Sequence, residues 1–161
     1  MTAQVPMSKG ASAPSDQERL AAKVAEAKAA VASLGAQFLT FVADDVAKLG
    51  QSFQDAQSVG DSRTQHIQEI FQIAHNLKGQ GTSFGYNLLT EVADRLCYRT
   101  RDVVHVDDHD LEAIGFHIRA IKIIVDGEIS GMGGEKGAAL LEKLGALSDP
   151  KTNSSLDKTV R

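Results

Sequence analysis

The chain has 161 residues, five of them His, with a single Cys, three Pro and no Trp, and it carries a formal net charge of -4 at pH 7. That length supports one domain with its own core. The mildly acidic balance argues against a nucleic-acid binder, which shows a basic face. The lone Cys97 excludes an intramolecular disulfide and fits a reducing cytoplasm.

Residues 1–14 and 149–161 are polar and aperiodic and are expected to be flexible tails around a helical body at 15–148. The N-terminal stretch has no apolar core of a signal peptide. No uninterrupted apolar run reaches the roughly 20 residues of a membrane span. Neither a membrane nor a nucleic acid is therefore an expected partner. The three prolines (Pro6, Pro14, Pro150) stand near the ends, so the long middle has none to break a helix.

Ser15-Asp16-Gln17-Glu18 has capping-box spacing. Leu20, Val24, Ala27, Val31 and Leu34 form the stripe of a first helix, which Gly35 either ends or kinks. Whether residues 15–57 are one helix or two stays open. Phe38, Val42, Val46, Leu49 and Phe53 form the next stripe, with Phe41 beside it. A turn at Gly60-Asp61-Ser62 precedes a third helix with Ile67, Ile70, Ala74, Leu77 and Gly81 on one face, closed by Phe84-Gly85. Leu88, Val92 and Leu96, flanked by Leu89 and Ala93, mark a fourth. Asp107 and Asp110 cap a fifth, with Leu111, Ile114, Ile118, Ile121 and Val125. After a Gly-rich turn at 131–134, Ala138, Leu141, Leu144 and Leu147 suggest a short last helix. Amphipathic helices with short connections predict an all-α antiparallel four-helix bundle, built from the second to fifth helices, with helical additions at both ends.

The segment Ala74-His75-Asn76-Leu77-Lys78-Gly79-Gln80-Gly81-Thr82-Ser83-Phe84-Gly85 carries the chemistry. A helix advances about 100° per residue. His75 thus points away from Leu77 and shares a polar or small stripe with Gln68, Gln72 and Gly79. Lys78 and Gly79 follow His75 by three and four residues, so both adjoin it on the helix surface. Gly79 weakens the helix by roughly 0.5–1 kcal/mol relative to Ala. A missing side chain beside an exposed His makes sense where another protein must come close. An imidazole in water is largely neutral at pH 7, and a neutral ring nitrogen is a nucleophile toward an activated phosphoryl group. Lys78 can offset the charge of the product. A lone surface His is usually only solvated, so the whole string, not His75 alone, carries this reading.

That string resembles the motif of the histidine phosphotransfer (HPt) domain family: His-x-Leu-Lys-Gly, then small residues, then a hydrophobic residue and Gly. The close resemblance covers about 74–97. It implies that 15–148 is an HPt helical-bundle domain and that the protein is a phosphocarrier of two-component signalling, without an ATP site of its own. It implies that His75 takes a phosphoryl group from one receiver-domain aspartate and gives it to another, with Lys78 beside the phosphate and Gly79 as the clearance point. Gln72, Gln68, Phe71 and Thr82 complete the candidate partner-contacting patch. The partners are receiver domains of a hybrid histidine kinase or of response regulators. The divalent metal belongs to the receiver, so no cofactor is expected here. One position departs from the family: many members carry a Gln on the next helix where this chain has Cys97. A thiol cannot reproduce a carboxamide's hydrogen bonds, and Cys97 reads as a small hydrophobe at the core boundary. The alternative from another class is a non-phosphorylated helical adaptor that binds receivers through the same face.

Three other features carry less. His105, Asp107, Asp108, His109 and Asp110 hold potential metal ligands but read as a loop and an acidic helix cap. Gly131-Met132-Gly133-Gly134-Glu135-Lys136-Gly137 lacks the Gly-Lys-Ser/Thr ending of a phosphate loop and reads as a turn. Glu91, Asp94, Arg95, Arg99 and Arg101 read as a solvated face with a few i, i+4 pairs; His66 and His117 read as structural or solvated.

Overall fold

The computed structural model of the chain describes residues 10, 12–58, 60 and 62–148. The tails expected at 1–14 and 149–161 lie outside the described residues, apart from 10 and 12–14, as does Asp61 of the expected turn. Five helices follow one another: α1 (Asp16–Gln57), α2 (Arg63–Phe84), α3 (Asn87–Thr100), α4 (Asp108–Asp126) and α5 (Gly134–Ser148). There is no strand among the described residues, and the class is all-α as the periodicity predicts.

The first two expected helices are one helix of 42 residues. Gly35 interrupts nothing, because Ala29, Ala30, Ala32 and Ala36 around it propagate the helix across a local cost of about 1 kcal/mol. The Ser15 cap is as expected: Glu18 N–H donates to Ser15 Oγ at 3.3 Å, and Ser15 N–H donates to Glu18 Oε2 at 2.6 Å.

The chain divides into two compact units at Leu34 and Gly35. In the first unit every residue of 16–34 is exposed, the apolar stripe included, with Leu20 at 64% and Val31 at 65%. In the second unit the core is continuous. It takes Phe38, Val42, Val46 and Leu49 from α1, Ile67, Ile70, Ala74 and Leu77 from α2, Leu88, Leu89, Val92 and Leu96 from α3, and Leu111, Ile114, Ile118 and Ile121 from α4. This is the four-helix core the sequence predicts. Among the described residues α1 alone is long and apolar enough, by length and composition, to cross a membrane, yet its Phe38, Val42 and Leu49 are buried in that core. α5 adds Leu144, with Leu140 and Leu141 half-buried, while Ala138 and Leu147 of the expected stripe are exposed.

The α2–α3 corner is fixed by backbone. Gly85 adopts φ 79°, ψ 19°, the left-handed cap its place predicts, and Tyr86 N–H donates to Gly81 O at 2.8 Å. Leu88 N–H donates to Gly131 O and Gly131 N–H to Gly85 O, each at 2.7 Å, tying this corner to the turn before α5. Phe38 stacks on Phe84 with ring centroids 4.6 Å apart and lies 5.1 Å from Tyr86, so α1 grips the same corner.

Candidate functional site

α2 buries Ile67, Ile70, Ala74, Leu77 and Gly81, and that choice of face turns His75 outward. His75, Gln68, Gln72 and Gly79 are exposed, as the helical wheel predicts, and so is Thr82. Phe71, one turn before His75, is half-buried against the core, and its ring centroid lies 6.0 Å from the imidazole. The imidazole thus has an apolar neighbour on one side and open solvent on the other.

An ideal Cβ at Gly79 would meet no atom within 4 Å. The glycine also needs no unusual backbone, because its φ is not positive. Neither packing nor conformation therefore demands a glycine there. Gly81 is the opposite case: a Cβ would stand 2.7 Å from Thr90 Oγ1 and 3.2 Å from Tyr86 O. Its bareness lets α3 close on α2, and so fixes which α3 residues face the His75 surface.

Two of those residues make contacts that escaped the sequence reading. Asp94 is exposed, as its charged face predicts, and its Oδ1 also accepts from Lys78 Nζ at 2.6 Å across the helix pair. The hydrogen bond and the charge of Asp94 push the Lys78 ammonium above its ordinary pKa. Thr90 Oγ1 lies 3.3 Å from Lys78 O and 3.2 Å from Thr82 Oγ1, joining the last turns of α2 to the start of α3. No local spacing announces either contact, since both depend on the register of two helices. The Glu91–Arg95 pair, four residues apart, is the kind of contact the alternating charges do predict.

Cys97 is 1% exposed and lies in the core. Burial pushes its thiol pKa up. It packs as a hydrophobe, in line with its sequence reading, and offers no hydrogen-bonding group to the outer surface.

Elsewhere, Asp107, His109 and Asp110 bring potential ligand atoms within 4.8 Å of one another. Both carboxylates serve the helix: Asp107 Oδ1 accepts from Asp110 N–H at 2.8 Å and Asp110 Oδ2 from Asp107 N–H at 3.3 Å, a capping box at the start of α4. The Asp110 N–H holds the Asp107 carboxyl below its ordinary pKa. Gly131, Gly133 and Gly134 have positive φ and form the turn into α5. His66 lies 3.1 Å from Glu69 through Nδ1, and His117 is fully buried in α4.

His75 thus stands on the outer face of a helix, with Lys78 and the open backbone of Gly79 in the following turn and a four-helix core behind it. Hpt domains are phosphocarrier modules of two-component phosphorelays that engage receiver domains of kinases and response regulators. Among curated proteins and among solved structures no match to the chain is found. The family model described as Hpt domain matches residues 33–122, more than half of the chain and the whole of the segment that builds this surface, and the chain belongs to that family.

Proposed function

We propose that the protein relays a phosphoryl group between receiver-domain aspartates by way of His75. The observation that carries this reading is the pairing of an exposed His75 with a Gly79 whose Cβ position is empty space. A receiver holds its acyl phosphate inside a pocket, so the imidazole must reach in while loops press on the helix around it. Gln68, Gln72, Phe71 and Thr82 are the surface those loops would meet.

In the transfer, the lone pair of a neutral ring nitrogen attacks phosphorus. The N–P bond forms as the P–O bond to the aspartate breaks, and its electron pair leaves with the carboxylate. The other ring nitrogen keeps its proton throughout. The reverse sequence delivers the group to a second receiver. Lys78 supplies positive charge beside the phosphoryl oxygens. The divalent metal is the receiver's, and the group arrives already activated, so the reading assigns this chain no cofactor and no ATP site. A single unpaired cysteine suits work in the cytoplasm.

The test is His75→Gln. An exposed side chain is replaced, so stability should stay within about 0.5 kcal/mol, while uptake of an acid-labile, alkali-stable phosphoryl group from a phosphorylated receiver is lost. A folded His75→Gln protein that still takes up phosphate would end this reading.

A further inference from the structure

Lys78 is not idle in the unphosphorylated protein. Its ammonium is already engaged by Asp94, at 2.6 Å, from the neighbouring helix. A phosphocarrier must give its group away as readily as it takes it. A cation waiting beside the imidazole would favour the charged form and hinder the second transfer. Interactions that hold ground states tightly do not speed a reaction.

We propose that Asp94 sets the phosphoryl-transfer potential of His75 by competing for Lys78. The proposal rests on the reading of His75 as phosphoacceptor. Lys78 and His75 are three residues apart on α2, so the Lys78 side chain starts one turn from the imidazole and is long enough to reach a phosphoryl group attached there. Asp94 reaches the same ammonium from α3, on the register that Gly81 and Gly85 impose. When a phosphoryl group is attached to His75, one of two things follows. Either Lys78 leaves Asp94 for the phosphate, and the ion pair is lost. Or one ammonium bridges both, since Lys has three donors, and the Asp94 carboxylate then lies close to a phosphoryl dianion. Both outcomes raise the free energy of the phosphorylated state relative to the free one. Once the group departs, Asp94 takes the ammonium back. Arg101 and Cys97 also lie within electrostatic reach of Lys78. Cys97 is buried, so Asp94 is the anion that matters at neutral pH.

Lys78 and Asp94 have side chains 41% and 53% exposed, so solvent screens the pair and its effect on an equilibrium is at most about fivefold. Asp94 is thus a positioning residue, acting through Lys78, and the test must show that dependence. Wild type, Asp94→Asn, Lys78→Ala and the double variant are charged with phosphoramidate, a small donor from which His75 takes the phosphoryl group as ammonia departs. Phosphorus NMR then gives the ionisation midpoint of each phosphohistidine. The same four proteins are equilibrated with a phosphorylated receiver domain, and the partition of phosphate is measured.

Asp94→Asn should shift the partition toward phosphorylated His75 by about two- to fivefold and lower the proton affinity of the phosphoryl group. In the Lys78→Ala background the same change should shift both by less than about 1.5-fold. Asp94→Glu should stay near wild type. An equal shift with and without Lys78 overturns the proposal, because Asp94 would then act on its own. So does the absence of any shift. If phosphoramidate charges His75 but no receiver exchanges with it, the relay reading fails, while the NMR midpoints still decide on Asp94. If phosphoramidate leaves His75 uncharged, both fail.

Discussion

An added Cβ meets nothing at Gly79, whereas at Gly81, two positions further along α2, it would collide with Thr90 Oγ1 and crowd the Tyr86 carbonyl. The two glycines therefore predict opposite behaviour. Gly79→Gln should leave the fold intact or stabilise it by roughly 0.5–1 kcal/mol, since a helix-favouring residue replaces a helix-weakening one. It should lower receiver binding and transfer, because the side chain fills the space through which the partner comes. Gly81→Val should destabilise by about 1–3 kcal/mol, because Tyr86 O is backbone and cannot swing aside. Thermal melts and transfer rates on both variants separate the two roles. A Gly79→Gln protein that melts early would make that glycine structural, and one that transfers at the original rate would place docking elsewhere. Both assignments were legible in the sequence from the wheel alone, since Gly81 shares the Ile67, Ala74 and Leu77 face and Gly79 the His75 face. The engagement of Lys78 was not, because Asp94 is 16 residues away and belongs to another helix.

At the scale of elements, what the sequence shows is what a helix does with its own neighbours. The boxes Ser15 with Glu18 and Asp107 with Asp110 are local reciprocal bonds, and both are formed. At α4 the cap also fixes where the helix starts: Asp107 itself is extended, at φ -90° and ψ 177°. Asp107→Ala should therefore cost about 0.5–2 kcal/mol, read as a lower midpoint in a urea melt. An unchanged midpoint would mean that burial of Val106 and Leu111 alone sets the start of α4. Contacts between elements leave no such trace. Arg95 and Arg99, read as part of a solvated face, donate to Leu141 O and Leu147 O on α5, both at 3.1 Å. The α5 stripe is met at Leu141 and Leu144 and missed at its two ends, Ala138 and Leu147. The buried residue of the first turn is Gly137, whose Cβ would run into the Met132 carbonyl and stand 3.2 Å from Leu88 Cδ2, and not Ala138. A glycine carries no hydropathy signal, so a wheel cannot find a face that is defined by close approach.

For the whole molecule, the one buried side-chain nitrogen or oxygen without a hydrogen-bond partner, among the described residues, is Nε2 of His117. Its Nδ1–H donates to Ala113 O at 2.7 Å and its Nε2 has no partner, so the ring is held neutral. Burial is the largest cause; the Ala113 hydrogen bond opposes it, Arg99 and Arg95 add repulsion, and the balance puts its pKa below the ordinary 6.5. The unfolded chain has no such constraint. Below about pH 6.5 the unfolded state binds a proton that the folded state refuses, so stability rises with pH in that window. The contribution of His117 is complete above its unfolded value and is lost as pH falls toward the depressed folded one. The carboxylates with lowered pKa, Asp107 and Glu69, start from ordinary values of 3.8 and 4.5 and act only at lower pH. The melting temperature should therefore fall already between about pH 6.5 and pH 5, before the carboxylates contribute. His117→Met removes the titrating group and the unpartnered acceptor together while filling similar space. It should melt within about 1 kcal/mol of wild type at pH near 7.5 and hold that stability down to about pH 5. If the Met variant loses stability over this range as steeply as wild type, the acid sensitivity arises elsewhere and the buried ring is only packing.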